Sequence, residues 1–547
     1  MYIRLKTSKN AKNPTVQIVE GYREGKKVKQ RTVASLGVIK RPEDKKRLQQ
    51  LAESLIRRLD KFEISTSELT KVHIEALKHQ ETIYNGNRIV TEKILDIIGF
   101  SEVIKKVKGR QSYNVLDIVS LIIANRLHAP SSKLRIFERQ NDYGYQAIEL
   151  QHVYRAMDKI LPMKGELLNQ AFNTANDGAQ SIECMFFDVT TLYFESVKAD
   201  SKNDKEGIRD FGWGKDGKFK EVQIVLALVV NKEGVPLAYE TFRGNTGETK
   251  TLIPVLKELR KSFKIKKVTI VCDRAMASKG NVDALRDEKF SFILACKLRS
   301  LSKKLKINDL SEFDEMSDQK NIESAEGVLI RTLKHPSYEN CHLVVTYSPK
   351  RARKDKIDRE RIVEKVKIAL KGKEDDSIKK LISNSGYKRY INFKKGSDFS
   401  LNEKKIKEDE EWDGFHGISV SDDAGVSFVD ALSLYRGLWR VEEAFRVGKC
   451  TIKTRPIFHW TPKRIRAHVL LCFLTLFAER YLELMLRREE TPMTPDKIRY
   501  AISQIHSIHF RDEVTGKQAI MDSMISEDGK AIYRALGLSL EPETVLI

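Results

Sequence analysis

In the stretch Ala431 to Cys450, ALSLYRGLWRVEEAFRVGKC, Tyr435, Glu442 and Lys449 stand seven residues apart. A helix advances about 100° per residue, so each heptad step drifts only about 20° and a phenol, a carboxylate and an amine share one face. The composition and the absence of proline predict a continuous helix as far as Gly448. Leu434, Leu438, Val441 and Phe445 form the adjacent apolar stripe, which would seat that helix and leave Glu442 at the border between core and cleft. Glu443 lies about 100° round the helix, off the line of Tyr435 and Lys449. Two more carboxylates stand out: Asp188 interrupts the apolar run CMFFDV, and Asp273 closes KVTIVCD. Carboxylates gathered on a rigid scaffold repel one another unless a cation sits between them, and hard Mg²⁺ or Mn²⁺ prefers oxygen ligands. Two such ions about 3.5–4 Å apart activate an attacking oxygen and stabilise a departing one in an in-line phosphoryl displacement. Asp188, Asp273 and Glu442 are therefore expected to be catalytic and to hold two Mg²⁺ ions, with Mn²⁺ able to substitute. The expected chemistry is phosphodiester cleavage and strand transfer, with Arg436, Arg440, Arg446, Lys449, Lys453 and Arg455 holding phosphates.

Those carboxylates meet only if the elements carrying them are neighbours. Cys184 to Val189 reads as a buried strand, and EVQIVLALVV, a turn at Asn231 to Gly234 and VPLAYETF read as a hairpin. A helix over 249–263, the strand KVTIVCD, a helix over 281–288 and the strand FSFILACKL follow. The order β-β-β-α-β-α-β predicts a ribonuclease-H-like α/β core, a mixed sheet with helices packed on it. In that topology the first and fourth strands are neighbours. A lone aspartate ending a strand is usually a loop-facing cap; the correlated set of two such aspartates and the Tyr-Glu-Lys spacing favours a site. The sequence divides into an N-terminal β-hairpin and helix (1–65) and a basic helical DNA-binding module (85–175). The catalytic core runs over 180–300, is interrupted by an insertion (301–410), and resumes over 411–490 with the Glu442 helix. A helical tail is expected over 491–547.

Across 547 residues, 98 Lys and Arg against 76 Asp and Glu leave a net charge of +22, which points to a polyanionic partner. With 41% hydrophobic and 32% charged residues, the composition excludes a disordered or collagen-like chain. The longest apolar stretch, His468 to Phe477, is too short to span a bilayer, so no membrane role is expected. The N-terminus lacks the apolar core of a secretory signal, pointing to the cytoplasm, or the nucleoid of a bacterial or archaeal cell. Six cysteines with no C-x-x-C are expected to be reduced and mostly buried. GWGKDG at Gly212 to Gly217 lacks the strand-to-helix context of a dinucleotide-binding turn, and GNTGETKT lacks P-loop spacing, so no nucleotide cofactor is implied. His459 and His468 are read as hydrogen-bonding rather than metal-ligating. The run 348–361 is either a solvated helix face or an arm toward DNA.

FFDVTTLYFES around Asp188, TIVCDRAMASKGNVDAL around Asp273 and YRGLWRVEEAFRVGK around Glu442 resemble the three blocks of a DDE transposase of bacterial insertion sequences. The group is the insertion-sequence-four-like superfamily, signed Tyr-x2-Arg-x3-Glu-x6-Lys, in its long-chain branch. Tyr435, Glu442 and Lys449 fall on the signature, whereas its arginine falls on Leu438, for which Arg436 or Arg440 could substitute. The usual Asp-Arg-Gly after the second aspartate is here Asp273-Arg274-Ala275. The resemblance implies binding of double-stranded DNA, both terminal inverted repeats and target, by a homodimer in a synaptic complex, with Tyr435 among the DNA-binding residues. It further implies cleavage of transposon ends and joining of the 3′ ends to target. Some relatives pass through a hairpin with a base held by an aromatic residue, for which Trp412 and Trp439 are candidates. Two alternatives stay open: a ribonuclease-H-like nuclease without strand transfer, and a non-catalytic DNA-binding relic.

Overall fold

Strands buried on both faces read as near-continuous apolar runs, and four of them build the centre of the molecule's largest sheet. The computed structural model describes residues 2–7, 13–24, 27–40, 44–46, 48–49, 52–53, 56, 77–107, 113–176, 183–214, 217, 220–263, 268–301, 307–315, 327–372, 385–394, 398–512, 518–540 and 544–546. In chain order the central elements are β1 (Cys184–Tyr193), β2 (Gln223–Val230), β3 (Pro236–Arg243), α1 (Leu252–Phe263), β4 (Thr269–Cys272), α2 (Lys279–Asp287) and β5 (Ser291–Ala295). β1, β2 and β3 form an antiparallel meander, while β4 lies parallel to β1 and β5 parallel to β4. The resulting order, β3-β2-β1-β4-β5, is the ribonuclease-H-like arrangement expected from the sequence.

The sheet does not end at β5. β6 (Asp314–Glu315), β7 (Leu329–Lys334) and β8 (Cys341–Tyr347) are followed by α3 (Pro349–Gly372), a hairpin of Ile391–Lys394 and Asp398–Leu401, α4 (Glu403–Glu410) and β9 (Phe415–Ser421). β9 pairs antiparallel with β5, and β8, β7 and β6 add outward from it, giving nine strands. The strand-like runs of 301–410 therefore extend the catalytic sheet rather than standing apart from it. The physical reason is the edge of β5, whose backbone groups would otherwise lack partners.

The continuous helix expected over 431–448 is broken. α5 (Phe428–Arg436) and α6 (Trp439–Arg446) are separated at Gly437 and Leu438, and one turn of π-helix (Val447–Thr451) follows. Gly437 sits where a Cβ would lie 2.6 Å from Phe186 Cζ and 2.9 Å from the Leu434 carbonyl, so packing against β1 decides the break. After it, α7 (Pro462–Arg488) is a long helix with an almost wholly buried middle.

The chain divides into two compact units. One comprises Ile98–Arg110 and Arg155–Leu484 and contains the nine-stranded sheet. The other comprises Met1–Ile97, Gln111–Tyr154 and Met485–Ile547. It carries a three-stranded antiparallel sheet (Tyr2–Lys6, Thr15–Glu24, Lys27–Val38) over a core of Val16, Ile18, Val33, Leu36, Leu48 and Ala52. The helical reading of 41–62 falls largely outside the described residues. The same unit holds a second sheet of Leu77–Ile83, Ser507–Asp512, Gln518–Asp522 and Thr544–Leu546. The C-terminal tail is thus not wholly helical as expected, because its strands find a partner more than four hundred residues earlier in the chain. The helices between 85 and 175 are shared between the two units. Several basic residues of that stretch are internally engaged: Arg126 and Lys133 are buried, Arg139 pairs with Asp142 at 2.6 Å and Arg135 with Glu138 at 3.0 Å. Among the described residues no helix is long and apolar enough to cross a membrane.

Candidate active site

β1 and β4 run parallel with Phe187 opposite Cys272, the last residue of β4. The next residues are Asp188 and Asp273, and Asp273 keeps an extended backbone before the turn Arg274–Met276. Neighbouring strands lie about 4.8 Å apart and registered residues face one side, so the two carboxylates stand side by side. The Cys272 thiol beneath them is pushed well up, by burial first and then by the charges of Asp188 and Asp273.

Glu442 approaches from α6, which packs on β1 and β2. It is exposed, and neither it nor Asp273 makes a side-chain hydrogen bond or ion pair among the described residues. Glu443 next door is held: Arg446 Nε and Nη2 each donate to it at 2.7 Å, and Arg480 Nη2 lies at 3.4 Å. Those guanidinium contacts hold its carboxyl below the usual range. Tyr435 is carried by α5 and lines a cleft together with Asp273. Burial, followed by the charges of Asp273 and Glu442, pushes its phenol well up despite the Arg351 guanidinium nearby. His416 on β9 lies against it, with ring centroids 5.1 Å apart. Burial and the Arg351 charge push that imidazole down to about 4.

The remaining sequence-derived residues scatter more widely. Arg436 is exposed at the end of α5. Arg440 covers the ring of Trp439 at 5.1 Å and that of Phe186 at 5.9 Å. Arg446 is occupied with Glu443. Lys449 falls in the π-helical turn and lines a small apolar cavity with Leu192, Tyr239 and Phe473, away from Tyr435. The helix break and this turn undo the uniform heptad face. Leu438, at the signature's arginine position, is buried. His468 Nε2 donates to the Thr454 carbonyl at 2.9 Å, the hydrogen-bonding role expected of it. All six cysteines are free, and four of them are buried.

A cleft of about 810 Å³ opens beside Asp273 and Tyr435. Its opposite wall comes from the inserted segment, including Arg351 and Arg359 of α3, Arg389 and Trp412. That wall is organised by buried Asp409, which receives Tyr390 Oη at 2.9 Å and pairs with Arg299 at 2.5 Å and Arg389 at 3.2 Å. Arg359 pairs with Asp413 and with Glu410, so the basic run of α3 is partly an internal support. Trp412 packs on a core of Leu298, Ile307, Leu343 and Val345, whereas Trp439 is more than half exposed. His416 has no place among the sequence-derived residues, and Arg351 figures there only within the basic run 348–361. The alternation in FHGISVS was the available signal for the strand that carries His416.

The carboxylates of Asp188, Asp273 and Glu442 are oxygen donors of the kind a hard divalent cation prefers. Asp188 and Asp273 each directly follow a residue of the registered pair Phe187–Cys272, and the phenol of Tyr435 is raised in part by the charges of Asp273 and Glu442. Among the described residues, no three acidic, histidine or cysteine side chains lie close enough to close a metal site unaided.

Residues 3–67 match the IS1634 family transposase, N-terminal domain, and residues 180–477 match the Transposase DDE domain. No curated protein matches the chain. Among solved structures, the piggyBac transposase synaptic complex with hairpin DNA is similar at 11% identity and a TM-score of 0.38, covering 77% of this chain and 80% of that one. The Mos1 transposase paired-end complex with left transposon end is similar at 11% identity and a TM-score of 0.15, covering 34% of this chain and 59% of that one.

Proposed function

The chain belongs to the DDE transposase family, and from that membership we propose that Asp188, Asp273 and Glu442 are the carboxylates with which it cuts and joins DNA. It is a DNA transposase, an enzyme of DNA cleavage and strand transfer. DDE transposase domains are metal-dependent, generally on Mg²⁺ or Mn²⁺. In this chain Asp188, Asp273 and Glu442 would hold two such ions. When bound, the ions would supply activation of the attacking oxygen and neutralisation of the departing one.

The chain's own residues set the geometry. Asp188 is held on β1 and Asp273 directly after its parallel neighbour β4, and Glu442 is carried by α6, which packs on β1 and β2. The raised phenol of Tyr435 stays protonated at neutral pH and can donate a hydrogen bond to a phosphate oxygen beside Asp273. Arg436 at the end of α5 and Arg440 in the first turn of α6 take the phosphate-binding role of the signature arginine, whose position holds the buried Leu438. The helices over 85–175 and the excess of positive charge serve binding of terminal inverted repeats and target DNA, by a homodimer in a synaptic complex. Reaction needs no nucleotide cofactor.

The observation that carries this reading is the contrast at the site: Asp188 and Asp273 directly follow the paired residues Phe187 and Cys272, Asp273 lines the Tyr435 cleft, and Glu442 is unengaged among the described residues while Glu443 is held by arginines. The test supplies purified protein with linear DNA carrying the element's terminal repeats and a supercoiled target in Mg²⁺. Joined repeat-target products are expected. Metal-dependent cutting without joining would favour the nuclease reading, and binding without cutting the relic.

A further inference from the structure

The loop that follows β1 (194–222) and the segment that leads into α7 (451–461) meet beside the end of β1. Ile457 N donates to the Tyr193 carbonyl at 3.3 Å, and the Arg455 guanidinium lies 5.4 Å over the Tyr193 ring. The Arg209 guanidinium sits 5.4 Å over the ring of Trp460. Arg466 of α7 reaches back to Glu206 of the loop at 3.1 Å.

Both pieces are firmly held. Asp200 receives Arg209 Nε at 2.8 Å and Nη2 at 2.6 Å, with the backbone amides of Ile208 and Arg209 on its second oxygen. Arg243 pairs with Asp210 at 2.8 Å. Gly212 is pressed so closely on the Gly244 carbonyl and the Gln223 amide that a Cβ would collide with them. On the other segment, Thr454 is tied to Gly448 through its hydroxyl at 2.8 Å and to His468 through its carbonyl at 2.9 Å.

This framework displays large aromatic rings to solvent: Trp213 is 88% exposed, Phe458 62% and Trp460 61%. Exposed apolar rings on a fixed backbone mark an interaction surface. The charge around them selects the partner. Residues 451–466 hold Lys453, Arg455, Lys463, Arg464 and Arg466 and no acidic residue, with Arg464 paired to Asp158 and Arg466 to Glu206, whereas the sequence of the loop 194–222 balances seven basic with seven acidic residues. A polyanion is attracted to such a segment. Aromatic rings interleaved with cations bind bases whose faces are open, which excludes the interior of a paired duplex.

We propose that Phe458 and Trp460 form a stacking platform for single-stranded DNA. The platform lies at the Tyr193 end of β1, five residues and so about 17 Å of strand from Asp188. It deepens the reading of the Asp188 centre as a DNA-processing site and rests on it: strands unpaired near the cut are within its reach.

The test measures anisotropy of a labelled oligothymidine of about 12 nucleotides, without metal, on the full chain and its variants. Trp460→Leu, which keeps apolar bulk and removes the ring, is expected to weaken single-strand binding by about fivefold or more, and Phe458→Ala likewise. Trp460→Phe keeps a ring and is expected to retain most of the affinity. Binding of a duplex of equal length should change by less than about twofold in all three, because phosphate contacts carry it. Unchanged single-strand binding in Trp460→Leu and Phe458→Ala would overturn the proposal, as would equal losses on both DNAs. Loss of self-association in sedimentation with single-strand binding intact would reassign the rings to a contact between copies. Loss of cleavage chemistry in the natural chain with single-strand binding preserved would instead remove the transposase mechanism and leave the platform standing.

Discussion

Glu443 receives two arginine donors at 2.7 Å, while Glu442 beside it has no bonded partner among the described residues. A side chain locked in an ion-pair network serves stability, and one left open on a cleft is available to a ligand. Glu442→Ala is expected to abolish end cleavage and to change stability by less than about 0.5 kcal/mol. Glu443→Ala is expected to retain cleavage and to cost about 1–3 kcal/mol, since it strips a partner from the largely buried Arg480. Chemical denaturation and a cleavage assay on both variants check the pair, and the reverse pattern would move the site by one residue. A second residue-scale outcome concerns acid. His335 is buried, stacked on Tyr338 at 4.4 Å, and pushed down to about 4 by burial and the Arg286 charge. The unfolded chain takes up this proton near pH 6.5 and the folded chain only near pH 4, so stability is lost as pH falls through that window. Between pH 7 and pH 5 the natural chain should lose up to about 2 kcal/mol more than His335→Phe, measured as urea midpoints.

The elements around the site differ in how openly the sequence declares them. β1 to β5 were legible because strands covered on both faces read as apolar runs, against which Asp188 and Asp273 stand out. β9 was not, because its polar alternation is short and its partner β5 lies more than a hundred residues away. The strands of 507–546 depend on pairing with Leu77–Ile83, which no local pattern reveals. Tyr435 and Glu442 stand out in the sequence on the premise of one helix, yet the chain breaks at Gly437 and places Lys449 on the wall of an apolar cavity. Helix propensity is a local quantity, and the close approach of Phe186 that decides the break is not. Gly437→Ala tests that cause. Its Cβ would press on Phe186, two residues before Asp188, so a loss of about 1–3 kcal/mol is expected, with slower cleavage from a displaced α6. A thermal midpoint and cleavage rate equal to those of the natural chain would mean the break has another origin.

For the whole molecule, the net charge of +22 makes phosphate contact the main source of DNA affinity. Raising salt from about 50 to 200 mM is expected to weaken binding to duplex DNA by about a thousandfold or more, if six or more phosphates are engaged. A filter-binding titration across that range measures the slope, and a flat response would place the affinity elsewhere than the basic surface. Charge brings DNA to the protein; the three carboxylates are what cut it. The most direct measurement is cleavage of an end-labelled duplex carrying the terminal repeat, with and without Mg²⁺, by the natural chain and by Asp188→Ala, Asp273→Ala and Glu442→Ala. Metal-dependent cutting at the repeat end that disappears in all three variants, with repeat binding retained, is the expected result. Cutting that persists in any one of them, or that needs no divalent metal, would contradict the assignment of these carboxylates as the metal-holding centre.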